Sequence, residues 1–341
     1  MPARSPFYSL FMSYQVTIQP SGHSFDVEPS ESVLDAALRQ GIILPYGCRN
    51  GACGSCMGTV AGGSVEYPDG PPAALTTADA ARQQALFCQA RAASDLTIQV
   101  REVDAARDIE IRTLPCRVNK LEHLEHDVIR IYLKLPDTER LQFLAGQYID
   151  VLLKDHAPRS FSIANAPHDD SLIELHIRNV SGGYFSAQVF NQMQEKAMLR
   201  FAGPLGTFFL REDSDRPAIL IGGGTGFAPL KGILEHAFHT GIEKPLHLYW
   251  GVRAKRDLYL EELPARWLQD HTNFSYTPVL SEPMPEDNWT GATGFVTDRV
   301  IRDYPELSGY DIYMSGPPVW VDAGRNLFLR DGLGTSRCWS D

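Results

Sequence analysis

The chain has no run of about 20 apolar residues, so no helix is expected to span a bilayer. Basic residues are short as well. Against 42 Asp and Glu stand 31 Lys and Arg, a formal net charge of -11, and a surface of that sign does not suit nucleic acid, whose phosphates demand a basic face. Residues 1–11, MPARSPFYSLF, have neither an apolar h-region nor a small-residue cleavage site; this stretch is expected to be a tail or an over-long translation start. No Gly-Lys-Ser/Thr follows a glycine turn, which excludes a Walker A loop, and no G-x-G-x-x-G of the dehydrogenase kind occurs at the main glycine run. Cysteines number only six. A single C-x2-C pair, Cys53 and Cys56, argues against a zinc knuckle made from two such units.

What is present is a chain of 341 residues, 43% hydrophobic and 21% charged, enough for two or three globular domains at roughly 100 to 200 residues each. Its organising stretch is Cys48-Arg-Asn-Gly-Ala-Cys53-Gly-Ser-Cys56, with Cys88 further on. C-x4-C-x2-C plus a distant fourth Cys is the plant-type pattern for a [2Fe-2S] cluster. Three sulfurs from one loop must converge on a small inorganic core, so Gly47, Gly51 and Gly54 are expected to let the loop curl and turn its N–H groups inward. Cys116 and Cys338 stand far apart and are expected to be free thiols in a reducing cytoplasm.

Around this loop the pattern predicts a hairpin over Tyr14–Val27 with a Pro20-Ser-Gly22 turn, a helix from Ser30 to Gly41, a hairpin around Gly62-Gly63 and a last strand from Leu96 to Val103. Residues 104–115 read as a linker. Short strands over 116–135 and 143–153 predict an antiparallel barrel, with Arg159-Ser160-Phe161-Ser162 inside it and a helix starting after Ser181-Gly182-Gly183. From Pro217 the character changes: the apolar Ala218–Ile221 runs straight into Gly222-Gly223-Gly224-Thr225-Gly226-Phe-Ala-Pro229 and a helix to Phe238. Strand, glycine turn and helix make the anion-binding start of a doubly wound parallel sheet. Further strands are expected at 246–253, 274–280 and 311–314, with helices near 257–268, 296–303 and 320–330.

The order of these stretches resembles the ferredoxin reductase superfamily. Residues 12–103 are similar to its β-grasp ferredoxin domain, 104–212 to its FAD-binding antiparallel β-barrel and 213–341 to its NAD(P)-binding doubly wound domain, a multidomain α+β and α/β chain. The resemblance implies that Cys48, Cys53, Cys56 and Cys88 hold the cluster and that Arg159 binds the FAD diphosphate. It also implies that Ser160 and Phe161 line the flavin, that Ser162 bonds its reactive edge, and that Gly183 and Ser186 meet its phosphates. Gly223, Gly224, Thr225, Gly226 and Pro229 match the nicotinamide-nucleotide turn, G-G-G-T-G-x-A-P. Ser315-Gly316-Pro317 matches a C-G-P turn beside the nicotinamide, with Ser315 in place of Cys, which makes Ser162 and Ser315 the expected catalytic pair. Family chains often end Ser-Asp-Ala-Phe, whereas Ser340-Asp341 stands last in this sequence, so the aromatic that covers the flavin is either lost by truncation or absent from a more open site.

The implied activity is an NAD(P)H-dependent oxidoreductase passing electrons through FAD to the cluster and on to a partner protein. Flavin must stand between nicotinamide and iron, because nicotinamide gives up two electrons at once and the cluster takes one. Two subfamilies share this domain order: oxygenase reductase components and the deoxysugar enzymes of the CDP-6-deoxy-Δ3,4-glucoseen reductase type. Leu144-Ala-Gly-Gln-Tyr-Ile-Asp150, Tyr249-Trp-Gly251 and Trp289-Thr-Gly-Ala-Thr-Gly-Phe-Val296 are closer to the second, which favours a dehydrase as acceptor and NADH as donor. NADPH is the alternative donor: Arg253, Lys255 and Arg256 stand where a 2′-phosphate is gripped, though Asp257, Glu261 and Glu262 follow and make the run read as a solvated surface. A flavin reductase or oxidase that uses the cluster only internally is the competing class.

Overall fold

A computed structural model describes residues 13–330 and 337–341; the tail expected at 1–11 lies outside them. The chain divides into two compact units, Met1–Asp108 and Ile109–Asp341.

In the first unit, β1 (Tyr14–Gln19) buries Val16 and Ile18, and β2 (Ser24–Val27) buries Phe25 and Val27. They form the expected hairpin, with Gly22 at φ +78° in its turn. Helix α1 (Val33–Arg39) starts at Ser32, whose hydroxyl accepts a hydrogen bond from the Asp35 N–H, and it buries Val33, Leu34, Ala36 and Ala37. β3 (Met57–Gly62), β4 (Val65–Glu66), α2 (Thr77–Ala81), β5 (Gln84–Leu86), β6 (Arg91–Ala92) and β7 (Leu96–Gln99) follow. The sheet runs β2-β1-β7-β3-β5 with β1 parallel to β7, the expected β-grasp. Two expectations fail locally. No hairpin forms at Gly62-Gly63, because β3 pairs with β7 and β5 while β4 leaves to pair with β6. Gly63 turns there at φ +83°, where a Cβ would stand 2.1 Å from the Asp95 carbonyl. The last strand stops at Gln99 instead of Val103, as the chain leaves the end of β1.

The second unit opens with β8 (Arg112–Glu125), so the last residues of the expected linker are already strand. β9 (Val128–Lys134), β10 (Tyr148–Val151), β11 (Arg159–Ser162), β12 (Ile173–Arg178), α3 (Tyr184–Asn191) and β13 (Met198–Leu205) complete the module. The strand order is β11-β10-β13-β8-β9-β12, antiparallel throughout, and a bridge from Ile163 to Leu175 joins the two ends into the expected barrel. Val118, Ile131, Ile149, Leu175 and Phe201 fill it.

The parallel sheet comprises β14 (Ala218–Gly223), β15 (Leu246–Val252), β16 (Phe274–Leu280), β17 (Ala292–Thr293), β18 (Asp311–Ser315) and β19 (Cys338–Ser340), in the order β17-β16-β15-β14-β18-β19. Helices α4 (Phe227–Thr240), α5 (Glu262–Asp270), α6 (Val296–Asp303) and α7 (Pro318–Arg330) connect the strands. Along β14, Leu220 enters one core with Leu234 and Trp250, and Ile219 and Ile221 enter another with Val300 and Phe328. Burial on both faces is what an unbroken apolar strand requires. The helix expected from 257 begins at Glu262, because the Asp257 carboxylate accepts from the Ala254 N–H and closes a separate turn over Lys255–Asp257. Asp257 is buried, so it does not belong to the solvated charge run expected there. No helix among the described residues is long and apolar enough to cross a membrane.

Candidate functional site

The cysteine loop curls as a polynuclear sulfur site requires. The Cys48 N–H points at Cys53 Sγ (3.4 Å), the Cys53 N–H points at Cys48 Sγ (3.3 Å), and Ser55 Oγ lies 3.4 Å from Cys53 Sγ. Within the loop, positive φ is found at Arg49 (58°), Gly51 (79°) and Gly54 (72°), not at Gly47 as expected. Arg49 is held in that conformation from two sides: its guanidinium pairs with Asp35 at 2.5 Å, and its carbonyl accepts from Gln89 Nε2 at 2.9 Å. The fourth cysteine is delivered by backbone. Val33 and Leu34, at the start of α1, donate to the carbonyls of Ala90 and Phe87, and the Phe87 N–H donates to the Cys56 carbonyl at 3.1 Å.

Electrostatically the four sulfurs act as two pairs, Cys48 with Cys53 and Cys56 with Cys88. In the first, the Cys53 proton stabilises the partner thiolate and holds Cys48 down to about 6; in the second, Cys56 lowers Cys88 in the same way. No three of the four sulfurs lie within 4.8 Å of one another. Around a single tetrahedral zinc, with bonds of about 2.3 Å, all four would be about 3.8 Å apart. Two separate pairs instead fit two irons with two thiolates each.

The flavin motif lies on β11, an end strand of the barrel order. Arg159 is exposed, bonded through Nη1 only to its neighbours' carbonyls at Ala157 and Pro158, and has no carboxylate in ion-pair range among the described residues. Its charge is available to an anion such as a diphosphate. Ser160 Oγ donates to Asp150 Oδ1 (2.6 Å), and the half-buried Phe161 packs on Phe185 with ring centres 5.3 Å apart. Gly183 precedes α3; a Cβ there would meet Ser186 Oγ at 2.5 Å. The Ser186 hydroxyl is buried and bonded to Val180 and Gly183, which leaves the backbone N–H groups of the first turn of α3 as the donors a helix start offers an anion. A stacked pair, His156 on Tyr184 at 3.9 Å, spans the two loops.

The glycine run is shaped by contact. Gly224 takes φ +56°, and a Cβ on Gly226 would stand 1.9 Å from the Ser315 carbonyl oxygen, so the turn before α4 presses directly on the Ser315-Gly316-Pro317 turn. Thr225 lies between these glycines, partly exposed. Pro229, in the first turn of α4, lacks an N–H that would have no helical partner there. Close-packed glycines at a helix N-terminus leave room and donors for a diphosphate. Ser315 itself is buried at the end of β18.

Flavin and nicotinamide motifs converge through Asp341. Ser162 Oγ donates to Asp341 Oδ2 at 2.5 Å, and the Asp341 N–H donates to the carbonyl of Met314, the residue before Ser315. The motifs alone do not single out this carboxylate or Trp320, and Trp250 enters them only within Tyr249-Trp-Gly251. Trp320 lies over Gly223 and Gly316, its ring 3.3 and 3.0 Å from where their Cβ atoms would be. Trp250 props the turn from below, donating through Nε1 to the Gly224 carbonyl at 2.9 Å and stacking on Phe227 at 4.0 Å. No contiguous motif marks the role of either; an aromatic close to a crowded glycine is the signal the sequence carries. His126, Asp127 and Asp257 also bring three potential ligand atoms together, but Arg178 donates to Asp127 at 2.7 Å and Arg253 lies 3.8 Å from Asp257, so these carboxylates already face guanidinium charge.

Comparison with known proteins agrees with this geometry. Three family descriptions match in series: "2Fe-2S iron-sulfur cluster binding domain" over residues 16–93, "Oxidoreductase FAD-binding domain" over 115–210 and "Oxidoreductase NAD-binding domain" over 220–325. The chain is 38% identical, over 97% of its length and 98% of the relative's, to a CDP-6-deoxy-L-threo-D-glycero-4-hexulose-3-dehydrase reductase of Yersinia pestis. It is 34% identical to reductase component 2 of a Comamonas terephthalate 1,2-dioxygenase, over 94% of this chain and 95% of that one. Among solved structures, the Amycolatopsis reductase GcoB superimposes with a TM-score of 0.75 at 33% identity, covering 96% of this chain and 98% of its own. The ferredoxin reductase of carbazole 1,9a-dioxygenase does so with a TM-score of 0.68 at 29% identity, covering 97% and 98%.

Proposed function

Because the chain belongs to the ferredoxin reductase superfamily, among the reductases that join a [2Fe-2S] domain to FAD and NAD domains, it is an oxidoreductase that carries electrons from NAD(P)H through FAD to the cluster; we propose that its acceptor is a deoxysugar dehydrase. The observation that supports this acceptor is the 38% identity to the hexulose-3-dehydrase reductase along nearly the whole of both chains. The Comamonas relative supports a second reading, an oxygenase component as acceptor.

Flavin supplies the chemistry of conversion, exchanging a pair of electrons with nicotinamide and single electrons with iron. The chain's own residues would do the rest. Arg159 and the N–H groups around Gly183 hold the flavin diphosphate, and Phe161 packs on the ring. Ser162 offers a hydroxyl to the ring's edge, with its direction set by Asp341. The turn of Gly223 to Gly226 takes the nicotinamide diphosphate, Trp320 shields that turn, and Ser315 lies at the nicotinamide end. Cys48, Cys53, Cys56 and Cys88 carry the cluster, with inward N–H groups stabilising their negative charge. We assign these roles to domains at 12–103, 104–212 and 213–341, with NADH as the donor and the cytoplasm as the compartment.

The acceptor is tested by mixing the NADH-reduced protein with a purified hexulose-3-dehydrase and, separately, with an aromatic-ring dioxygenase component. Rapid, saturable reoxidation by the dehydrase alone is the expected result. Reoxidation by the oxygenase component alone would transfer the assignment to the second reading. Stopped-flow reduction with NADH and NADPH in parallel decides the donor.

A further inference from the structure

β12 alternates between two buried faces. Ile173, Leu175 and Ile177 fill the barrel, whereas Glu174 and His176 point the other way and are still only 5% exposed. Ionisable groups at that depth need partners, and Lys231 and Tyr259 come from the half of the unit that carries the parallel sheet. Lys231 of α4, also 5% exposed, donates from Nζ to Glu174 Oε2 (3.0 Å), Glu235 Oε2 (2.9 Å) and the Ala164 carbonyl (3.2 Å). His176 lies between Glu174 Oε1 (2.8 Å) and the Tyr259 hydroxyl (3.0 Å). Arg130 of β9 reaches within 3.7 Å of Glu174.

Next to the lysine the helix touches backbone. A Cβ on Gly232 would stand 2.9 Å from the Asn165 carbonyl oxygen and 3.3 and 3.4 Å from those of Ile163 and Ala164. These three residues continue directly from Ser162. On the following residue, Ile233 lies where a Cβ on Gly146 of the barrel would be, 2.8 Å from its Cδ1. α4 begins at the glycine turn, so one helix joins the proposed nicotinamide site to the segment that leaves the proposed flavin site. A buried ion pair is a poor source of stability compared with well-packed apolar groups. Its three directed donors fix where the helix sits along the strand, which packing alone leaves looser.

We propose that Lys231, seated on Glu174 and the Ala164 carbonyl with Gly232 pressed against the same segment, is a positioning residue that sets the register of the nicotinamide-binding helix against the flavin-binding strand and thereby the rate of flavin reduction. This rests on the assignment of Arg159–Ser162 to flavin and Gly223–Gly226 to nicotinamide. Lys231 touches neither cofactor.

The test uses holo protein carrying FAD and cluster, as Lys231→Met and as Lys231→Met/Glu174→Gln, the second neutralising Glu174, the more deeply buried of the two carboxylates that lose their lysine. Read in each are bound FAD, melting temperature, the dissociation constant for NADH, the limiting rate of flavin reduction, its isotope effect with 4-deuterated NADH, and the nicotinamide–flavin charge-transfer absorbance. The expected result for the double variant is full FAD content, a melting temperature near that of the wild type and NADH affinity within about twofold. Its limiting rate is expected to fall on the order of 10- to 100-fold with a weakened charge-transfer band, since a misplacement of about 1 Å costs up to about 10²-fold. A limiting rate and band within twofold of wild type in the double variant would overturn the proposal, leaving Lys231 only a structural role. Failure of the underlying site assignment has a different signature: Arg159→Ala keeping its FAD, or Gly226→Ala keeping its NADH affinity.

Discussion

At Gly226 a single methyl group decides the outcome. A Cβ there would meet the backbone oxygen of Ser315 at 1.9 Å, which no rotamer change relieves. Gly226→Ala is therefore expected to slow flavin reduction by NADH at least about tenfold by displacing the turn, while dithionite still reduces the flavin; stopped-flow absorbance with the two reductants checks this. Arg159→Ala is expected to release FAD, because it removes the cation that awaits the diphosphate, and Arg159→Lys is expected to restore binding only in part, since an ammonium lacks the planar fork. Flavin absorbance after gel filtration measures both. Stoichiometric FAD in the alanine variant would count against the assignment. Residues such as these were legible in the sequence because each motif is contiguous and its chemistry local. Asp341 and Trp320 were not, since each acquires its place only when distant strands come together, and Trp250 was legible only within Tyr249-Trp-Gly251, not as the prop beneath the glycine turn.

Among the elements, β15 carries an acid-sensitive group. His247 is held by the Tyr304 and Thr277 hydroxyls at 2.7 and 2.8 Å, and burial pushes its imidazole down to about 4 against the opposing pull of Asp303. The folded protein thus keeps this group neutral at pH values where the unfolded chain, with an ordinary value of about 6.5, takes up a proton. Stability from this source is complete above about pH 6.5, is lost as pH falls toward 4 and changes no further below that. His247→Gln is expected to flatten the melting temperature between pH 6.5 and 4.5 relative to wild type; an unchanged slope in that window would contradict it. Elements were read well where the period was regular, as in β1, α1 and β14. The Gly62-Gly63 hairpin was misread because two glycines in a row look like a turn between paired neighbours, whereas the β-grasp pairs β3 with strands distant in sequence. Likewise Asp257 looked like part of a surface charge run, since its capping bond to the Ala254 N–H is visible only in three dimensions.

For the whole molecule, the order of cofactor sites was legible from three motifs in series. The acceptor was legible only as a subfamily likeness in short stretches such as residues 144–150, because docking itself depends on the shape and charge of a surface. What the molecule must do is convert paired electrons to single ones, and separate sites for nicotinamide, flavin and iron imply that the steps can be separated. Cys53→Ser is expected to lose the cluster yet keep NADH-driven reduction of a dye that takes electrons from flavin. The most direct test is anaerobic addition of NADH to iron-loaded wild type and to Cys53→Ser, followed by absorbance and electron paramagnetic resonance. The account predicts flavin bleaching in both proteins and a binuclear iron signal in the wild type alone. Wild-type protein that bleaches its flavin without developing that signal, or a Cys53→Ser variant that loses flavin reduction along with its iron, would contradict it.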